Sequence, residues 1–393
     1  MRQPGSRPLW LGLAFVACRM ASAENVVDAP HVTTSGVIAL ANLDDQIAQR
    51  HDEAGLAELL LVRSRFLGDY EALDRAIGIA ESRSSTAGEL LQRARARSAE
   101  HRFEDALADL AAAGKAGADA EEIRALRVSI LIATGRANEV VAELEDGMVR
   151  HPGFPSRSAL AGAYAAVGRL ADADRLYVLA LDDLDTTSPF PYAWIYFARG
   201  LMWEERGGDA ARSEELYARA LAYLPEFVAA NIHIAELEIA RGEFASSTSR
   251  LRRVVASSGE PEALALLGKL HMRTGRPVRG RSEISRARQR YESLLARHPL
   301  AFADHAAEFY LGPGADAERA WLLAQQNLAA RETDRALALA IGAAWAAGRH
   351  RELYALVERA RSKSRHVVEA CSGFPWKPGV GVSQPVSPTV QQQ

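Results

Sequence analysis

The chain has 393 residues, 48% of them apolar and 25% charged, with a net charge of −3. Such a composition excludes an intrinsically disordered chain, and the acidic balance argues against a nucleic-acid binder. Two cysteines, Cys18 and Cys371, are too few to frame a small fold with disulfides. Aromatic residues make up only 7%, while alanine and arginine are abundant, so the local preference is helical.

The first segment, "MRQPGSRPLWLGLAFVACRMASAEN", carries Arg2 and Arg7, an apolar run from Leu9 to Cys18, and "ASA" at 21–23. A basic stretch, a short apolar stretch and small residues form the pattern of a secretory signal, and cleavage after Ala23 is predicted. The apolar run is about ten residues, too short to span a bilayer. "FVAC" ending at Cys18 also resembles a lipoprotein cleavage box, although Phe15 stands where Leu is usual and Arg19 follows. Removal of 1–23 takes away three arginines and no acid, moving the net charge from −3 to −6 and leaving Cys371 as the one cysteine.

Residues 24–53 read as a linker and a capping helix, the helix starting after Ser35 with "GVIALANLDDQIAQR". From 54 to 361 a helix–turn–helix pattern recurs. Its turns fall at Gly68, His101, Gly135, Gly168, Gly207, Gly242, Gly275 and Gly348, at intervals of 33, 34, 33, 39, 35, 33 and 73. The last interval holds two units, a weak one lying near "YLGPGADAERAWLLAQQ". A helical pair this short cannot bury its own apolar face, so each unit must pack on the next. Residues 362–393 lose the periodicity, contain "FPWKP" and Cys371, and read as a flexible Pro- and Gly-containing tail.

The repeat resembles the tetratricopeptide repeat family. Ala161, Tyr164, Gly168, Leu170, Ala173, Tyr177 and Ala180 match its unit in order. Leu264, Leu267, Gly268 and Gly275 match in a later unit, and Tyr196, Gly200, Trp203 and Gly207 in another that closes at Pro225. Pro152 and Pro299 close two more. The resemblance implies an all-α, right-handed α-solenoid superhelix of eight or nine hairpins. It also implies a non-catalytic scaffold that holds a protein or peptide partner in a concave groove.

Catalytic motifs are missing: no His-Glu-x-x-His, no Gly-x-Ser-x-Gly and no phosphate loop occur. His233 with Glu236, and His298, His305 and Glu308, have helical spacings that a metal site uses, but such pairs arise often by chance and read as ordinary polar residues. No catalytic residue, metal or cofactor is expected. Two stretches stand out. "SPFPYAWIYFARGLMW" gathers Phe190, Tyr192, Trp194, Tyr196, Phe197 and Trp203, and either packs a lengthened helix or forms an apolar peptide-binding patch. Between Lys269 and His298 nine basic residues face two acids, a local charge of +7 that leaves about −13 on the rest of the mature chain. Such asymmetry steers acidic partners. In the family's alignment Trp194, Phe197, Leu201, Lys269 and Arg273 fall at groove positions and are the expected partner-binding residues. The family's carboxylate-holding Lys and Asn set is not evident, Asn231 standing alone. The expected setting is the periplasm or outside the cell, as soluble protein or anchored in the envelope through Cys18.

Mass spectrometry of the mature chain checks the first of these expectations. Glu24 as the first residue is the predicted result; a lipid-modified Cys18 would mean anchoring instead.

Overall fold

The computed structural model describes residues 31–363. The signal-like segment and the tail with "FPWKP" and Cys371 lie outside the described residues. Among the described residues there are nineteen α-helices and no strand. A single helix, α1 (Gly36–Gln49), comes first. Nine hairpins follow. The first three are α2 (Glu53–Leu67) with α3 (Tyr70–Glu81), α4 (Ala87–Ala99) with α5 (Phe103–Lys115), and α6 (Ala120–Ala133) with α7 (Val141–Arg150). The next three are α8 (Phe154–Ala166) with α9 (Leu170–Asp182), α10 (Pro189–Met202) with α11 (Ala210–Tyr223), and α12 (Val228–Arg241) with α13 (Phe244–Ser258). The last three are α14 (Pro261–Arg273) with α15 (Pro277–Arg297), α16 (Ala303–Leu311) with α17 (Ala317–Ala330), and α18 (Asp334–Ala346) with α19 (His350–Lys363). None of these helices is long and apolar enough to cross a membrane.

Each hairpin turns through one residue of positive φ: Gly68, His101, Gly135, Gly168, Gly208, Gly242, Gly275, Ala315 and Gly348. They recur every 33 or 34 residues except for two intervals of 40. The first long interval holds a π-helical turn, Trp203–Gly207, that extends α10, so the chain reverses at Gly208 and not at Gly207. The second holds α15, at 21 residues the longest helix. His101 takes the position that glycine fills elsewhere, with φ of 59°. A side chain in that region costs about 1–2 kcal/mol. Its ring stacks on Phe103 at 5.3 Å, and Nδ1 lies 3.2 Å from the carbonyl oxygen of Leu300. Burial pushes its pKa down to about 4, so the ring is neutral and Nδ1–H donates to that carbonyl.

Alanine and glycine sit where helices cross. Ala94, Ala106, Ala161, Ala173, Ala263, Ala306, Ala320 and Ala340 are wholly buried. α14 and α15 approach so closely that a Cβ on Gly280 would lie 2.8 Å from the Gly268 carbonyl oxygen. This explains a glycine at 280 where the repeat pattern favours alanine. Arginine–carboxylate pairs recur along the last hairpins: Arg319 to Glu292 at 2.8 Å, Arg335 to Glu308 at 3.0 Å and Arg359 to Glu332 at 2.7 Å. Each joins residues 27 apart, which places one rung per repeat.

The array coils back on itself in a regular register. The turn of the first hairpin, at Gly68, faces Ser258 and Glu260 just before α14, the first helix of the seventh hairpin. The second hairpin's turn, at Glu100 and His101, meets His298 and Leu300 before α16, in the eighth. The third hairpin's turn, at Thr134 and Gly135, meets Glu332 before α18, in the ninth; the Glu332 amide donates to the Thr134 carbonyl at 3.3 Å. Gly36 of α1 packs on Tyr223 and Pro225 before α12 in the same way. Each of the first three hairpins thus contacts the loop opening the unit six places later, and with α1 they form one inner seam between the two layers. Apolar contacts fill it. Phe66 of α2 lies 5.1 Å from Phe190 and 4.9 Å from Phe227, and Tyr70 lies edge-on to Phe302 at 4.8 Å. His298, 4% exposed, reaches Asp74 at 2.6 Å and Glu100 at 2.9 Å.

Two glycine substitutions separate this seam from the hairpins. Gly275 and Gly135 both have positive φ, 76° and 80°. Gly275→Ala meets nothing within 4 Å and should cost about 1–2 kcal/mol. A Cβ on Gly135 would lie 2.2 Å from the Glu332 carbonyl oxygen, so Gly135→Ala must part the seam and should cost roughly 4 kcal/mol or more. Chemical unfolding followed by circular dichroism checks this; equal costs would show that the seam contributes nothing.

Candidate functional site

The residues singled out from the sequence fall in two places. Trp194 and Phe197 lie on α10 with ring centroids 6.0 Å apart. Trp194 is 40% exposed and carries the Arg65 guanidinium at 5.2 Å from its ring. Phe197 is 7% exposed, so the expectation that it faces a groove is corrected. Its ring packs on Phe227 at 4.9 Å and on Tyr217 at 5.6 Å, and Phe66 covers Phe227 from the other layer. Packing against α11 and the start of α12 turns that position into core. Leu201 is half-buried against the same cluster.

Lys269 and Arg273 lie one turn apart on α14, and both are exposed. The Arg273 guanidinium sits 4.8 Å from the Phe244 ring centroid. Among the described residues no ring or ion-pair contact joins them to Trp194. Around them the pattern of paired arginines breaks. Lys269, Arg276, Arg279 and Arg281 have no carboxylate partner among the described residues, and Met272 and Val278 between them are 44% and 74% exposed. The surface surrounding the Gly275 turn is therefore cationic and apolar together. Asn231, by contrast, is committed: its amide donates to the carbonyls of Pro225 and Phe227, both at 2.9 Å.

A second group was only half visible in the sequence. Residues on successive first helices form a band of acids and imidazoles. His233 of α12 lies with Nδ1 3.0 Å from Glu204 and 3.8 Å from Glu236. Tyr217 donates its hydroxyl to Glu204 at 2.5 Å and stacks on the His233 ring at 5.1 Å. Further along, Glu262 of α14 lies 3.3 Å from His305 of α16, and Arg335 of α18 bonds Glu308 at 3.0 Å and approaches Glu205 at 3.5 Å. Burial pushes Glu236 up to about 7, and Glu262 adds to the rise. Burial alone would lower the His233 imidazolium, but Glu204, Glu236 and Glu262 outweigh it and hold it above its ordinary value. Asp304 drives His305 up to about 10 against the opposing effect of burial, with Glu262 adding to it. His233 and Glu236 share a helix face and were recognisable as a pair. Glu204 stands on the π-helical turn, 29 residues earlier, and only the packing of α10 on α11 and α12 brings it there.

No protein-family model matches the sequence, and no curated protein matches it. Several solved structures are similar in fold. One is the APC/C hetero-tetramer Cut9–Hcn1, at 15% identity and a TM-score of 0.47, over 85% of this chain and 65% of that one. A tetratricopeptide repeat protein from Parabacteroides merdae matches at 16% identity and a TM-score of 0.39, over 65% of this chain and 98% of that one. The yeast Tom70 matches at 12% identity and a TM-score of 0.35, over 85% of this chain and 91% of that one. By its own geometry of paired helices, repeat period and left-handed turn residues, the chain is an α-solenoid of the tetratricopeptide type.

The two aromatic residues of α10 are expected to separate cleanly. Phe197→Ala should cost about 3–5 kcal/mol as a core truncation. Trp194→Ala should stay within about 0.5 kcal/mol of the parent protein. Thermal melts of the two single variants check this, and a cost at Trp194 equal to that at Phe197 would place both in the core.

Proposed function

We propose that the protein is a non-catalytic scaffold that holds an acidic protein or peptide segment on the cationic, apolar surface around the Gly275 turn. The observation that carries this reading is the run of unpaired cations, Lys269, Arg276, Arg279 and Arg281, interleaved with exposed Met272 and Val278. Many arginines elsewhere in the array are matched with a carboxylate of the same hairpin, as at Arg93–Asp109, Arg157–Asp183 and Arg250–Glu238. The coiling register supplies the reason that this turn is uncovered. Turns of the first three hairpins are covered by the units six places later, and no hairpin lies six places after the seventh.

An acidic segment would complete the charges, and an apolar side chain on it would cover Met272 and Val278. The helices that present these side chains are fixed before binding, so little ordering is required of the scaffold. Arg273 is held over Phe244 and offers its edge to the same partner. Trp194, with Leu201 beside it, is an aromatic anchor of the kind that dominates interface energies and supplies a separate contact. The signal-like segment at 1–23 supports export, which gives the partner an address in the cell envelope.

The triple variant Arg276→Glu/Arg279→Glu/Arg281→Glu tests the surface without touching the core, because all three positions are exposed. Mature protein immobilised in envelope extract should capture an acidic partner that elutes as salt is raised, and the triple variant should lose it at least tenfold with helicity unchanged. Capture of the same proteins at the same level by both would overturn the proposal.

A further inference from the structure

We propose that Glu204, His233 and Glu236 form a binding site for a divalent transition-metal ion, of the Zn2+ or Mn2+ class, which joins the fifth hairpin to the sixth. One donor atom from each of the three lies within 4.8 Å of both others. His233 Nδ1 is 3.0 Å from Glu204 Oε2 and 3.8 Å from Glu236 Oε2. In a four-coordinate ion with bonds of about 2.0–2.1 Å, neighbouring donors stand about 3.3 Å apart, between those two separations. The two His233 distances are within about half an ångström of that spacing, and the Glu204 and Glu236 oxygens, within 4.8 Å of each other, close the third side as the ion binds.

A second observation points into the same space. His233 Nδ1 is shut off from solvent and makes no aligned hydrogen bond. The nearby Glu204 oxygen is close enough for an ion pair but misses the direction that an N–H donor needs. A metal ion that displaces the proton from such a nitrogen takes up its lone pair, and the two carboxylates supply the balancing charge. One imidazole with two carboxylates is a mixed nitrogen and oxygen donor set. It suits Zn2+ or Mn2+ better than the soft, thiolate-bound ions, with water in the remaining positions.

The surroundings hold the donors in place. Tyr217 stacks on the imidazole and donates to Glu204, so it positions two of the three ligands. Phe197 also packs against the ring, with centroids 5.6 Å apart. Glu204 belongs to the π-helical turn that lengthens α10, and in an uninterrupted α-helix its side chain would point elsewhere. Glu204 and Glu236 come from different hairpins, so an ion between them ties α10 to α12 where the helical stack changes spacing.

Untagged full chain, dialysed free of metal, is titrated with Co2+ as a spectroscopic probe and with Zn2+ in competition. One equivalent of Co2+ with visible d–d absorption, displaced by Zn2+, is expected, together with a rise in melting temperature. Glu236→Gln, at a half-exposed position, and His233→Gln should each weaken binding at least tenfold while circular dichroism stays unchanged. Tyr217→Phe should weaken it by roughly 10- to 100-fold, as loss of a positioning partner does. His305→Gln, in the neighbouring acid–imidazole pair, should leave it intact. Absence of Co2+ and Zn2+ binding, or binding that survives both Glu236→Gln and His233→Gln, would overturn the site.

Discussion

Contact between the layers of the coiled array is the constraint on which the rest of the structure depends. The small rotation between neighbouring helical pairs sets the curvature of such an array, and the contact it makes with itself locks that curvature in place. Here the first three hairpin turns meet the loops that open the seventh, eighth and ninth hairpins. Phe66 enters between Phe190 and Phe227, and His298 is buried between Asp74 and Glu100. Neither contact is local: His298 and Asp74 are 224 residues apart in the chain. Loop closure over that distance is entropically costly, so the seam must form cooperatively once the hairpins exist.

The seam also sorts the surface. Phe227, which covers Phe197 within one layer, is itself covered by Phe66 of the opposite layer. Turns without a partner layer stay exposed, and of these the Gly275 turn carries unpaired cations beside Met272 and Val278. The proposed partner surface and the proposed metal site therefore fall on different parts of the same array. One lies at an uncovered turn of the seventh hairpin, the other between the first helices of the fifth and sixth.

Much of the fold was legible because each hairpin announces itself locally. A glycine of positive φ marks seven of the nine turns, and alanines at helical spacing mark the crossings. The two turns that are not glycine, His101 and Ala315, were recognisable only by their distance from neighbours, and the π-helical turn moved a third from Gly207 to Gly208. The site was less legible. Lys269 and Arg273 were visible as part of a charge excess, but whether a cation is paired depends on helices that periodicity does not place. Phe197 was read against an open groove, and its burial comes from Tyr217, Phe227 and His233 of the following helices, which spacing does not place against it. His233 and Glu236 shared a visible helix face, whereas Glu204 joins them through tertiary packing that leaves no trace in spacing.

The most direct test of the coiled register is a distance across the seam between the third hairpin's turn and the ninth hairpin. Arg136 and Glu352 are exposed and line opposite sides of one cleft of about 550 Å³, so each accepts a spin label without disturbing the core. With Cys18 and Cys371 replaced by serine, Arg136→Cys and Glu352→Cys carry the labels, and pulsed dipolar spectroscopy reads their separation in solution. A single narrow, short distance is the predicted result. A broad distribution reaching to long distances would contradict the register and, with it, the division of the surface into covered and uncovered turns.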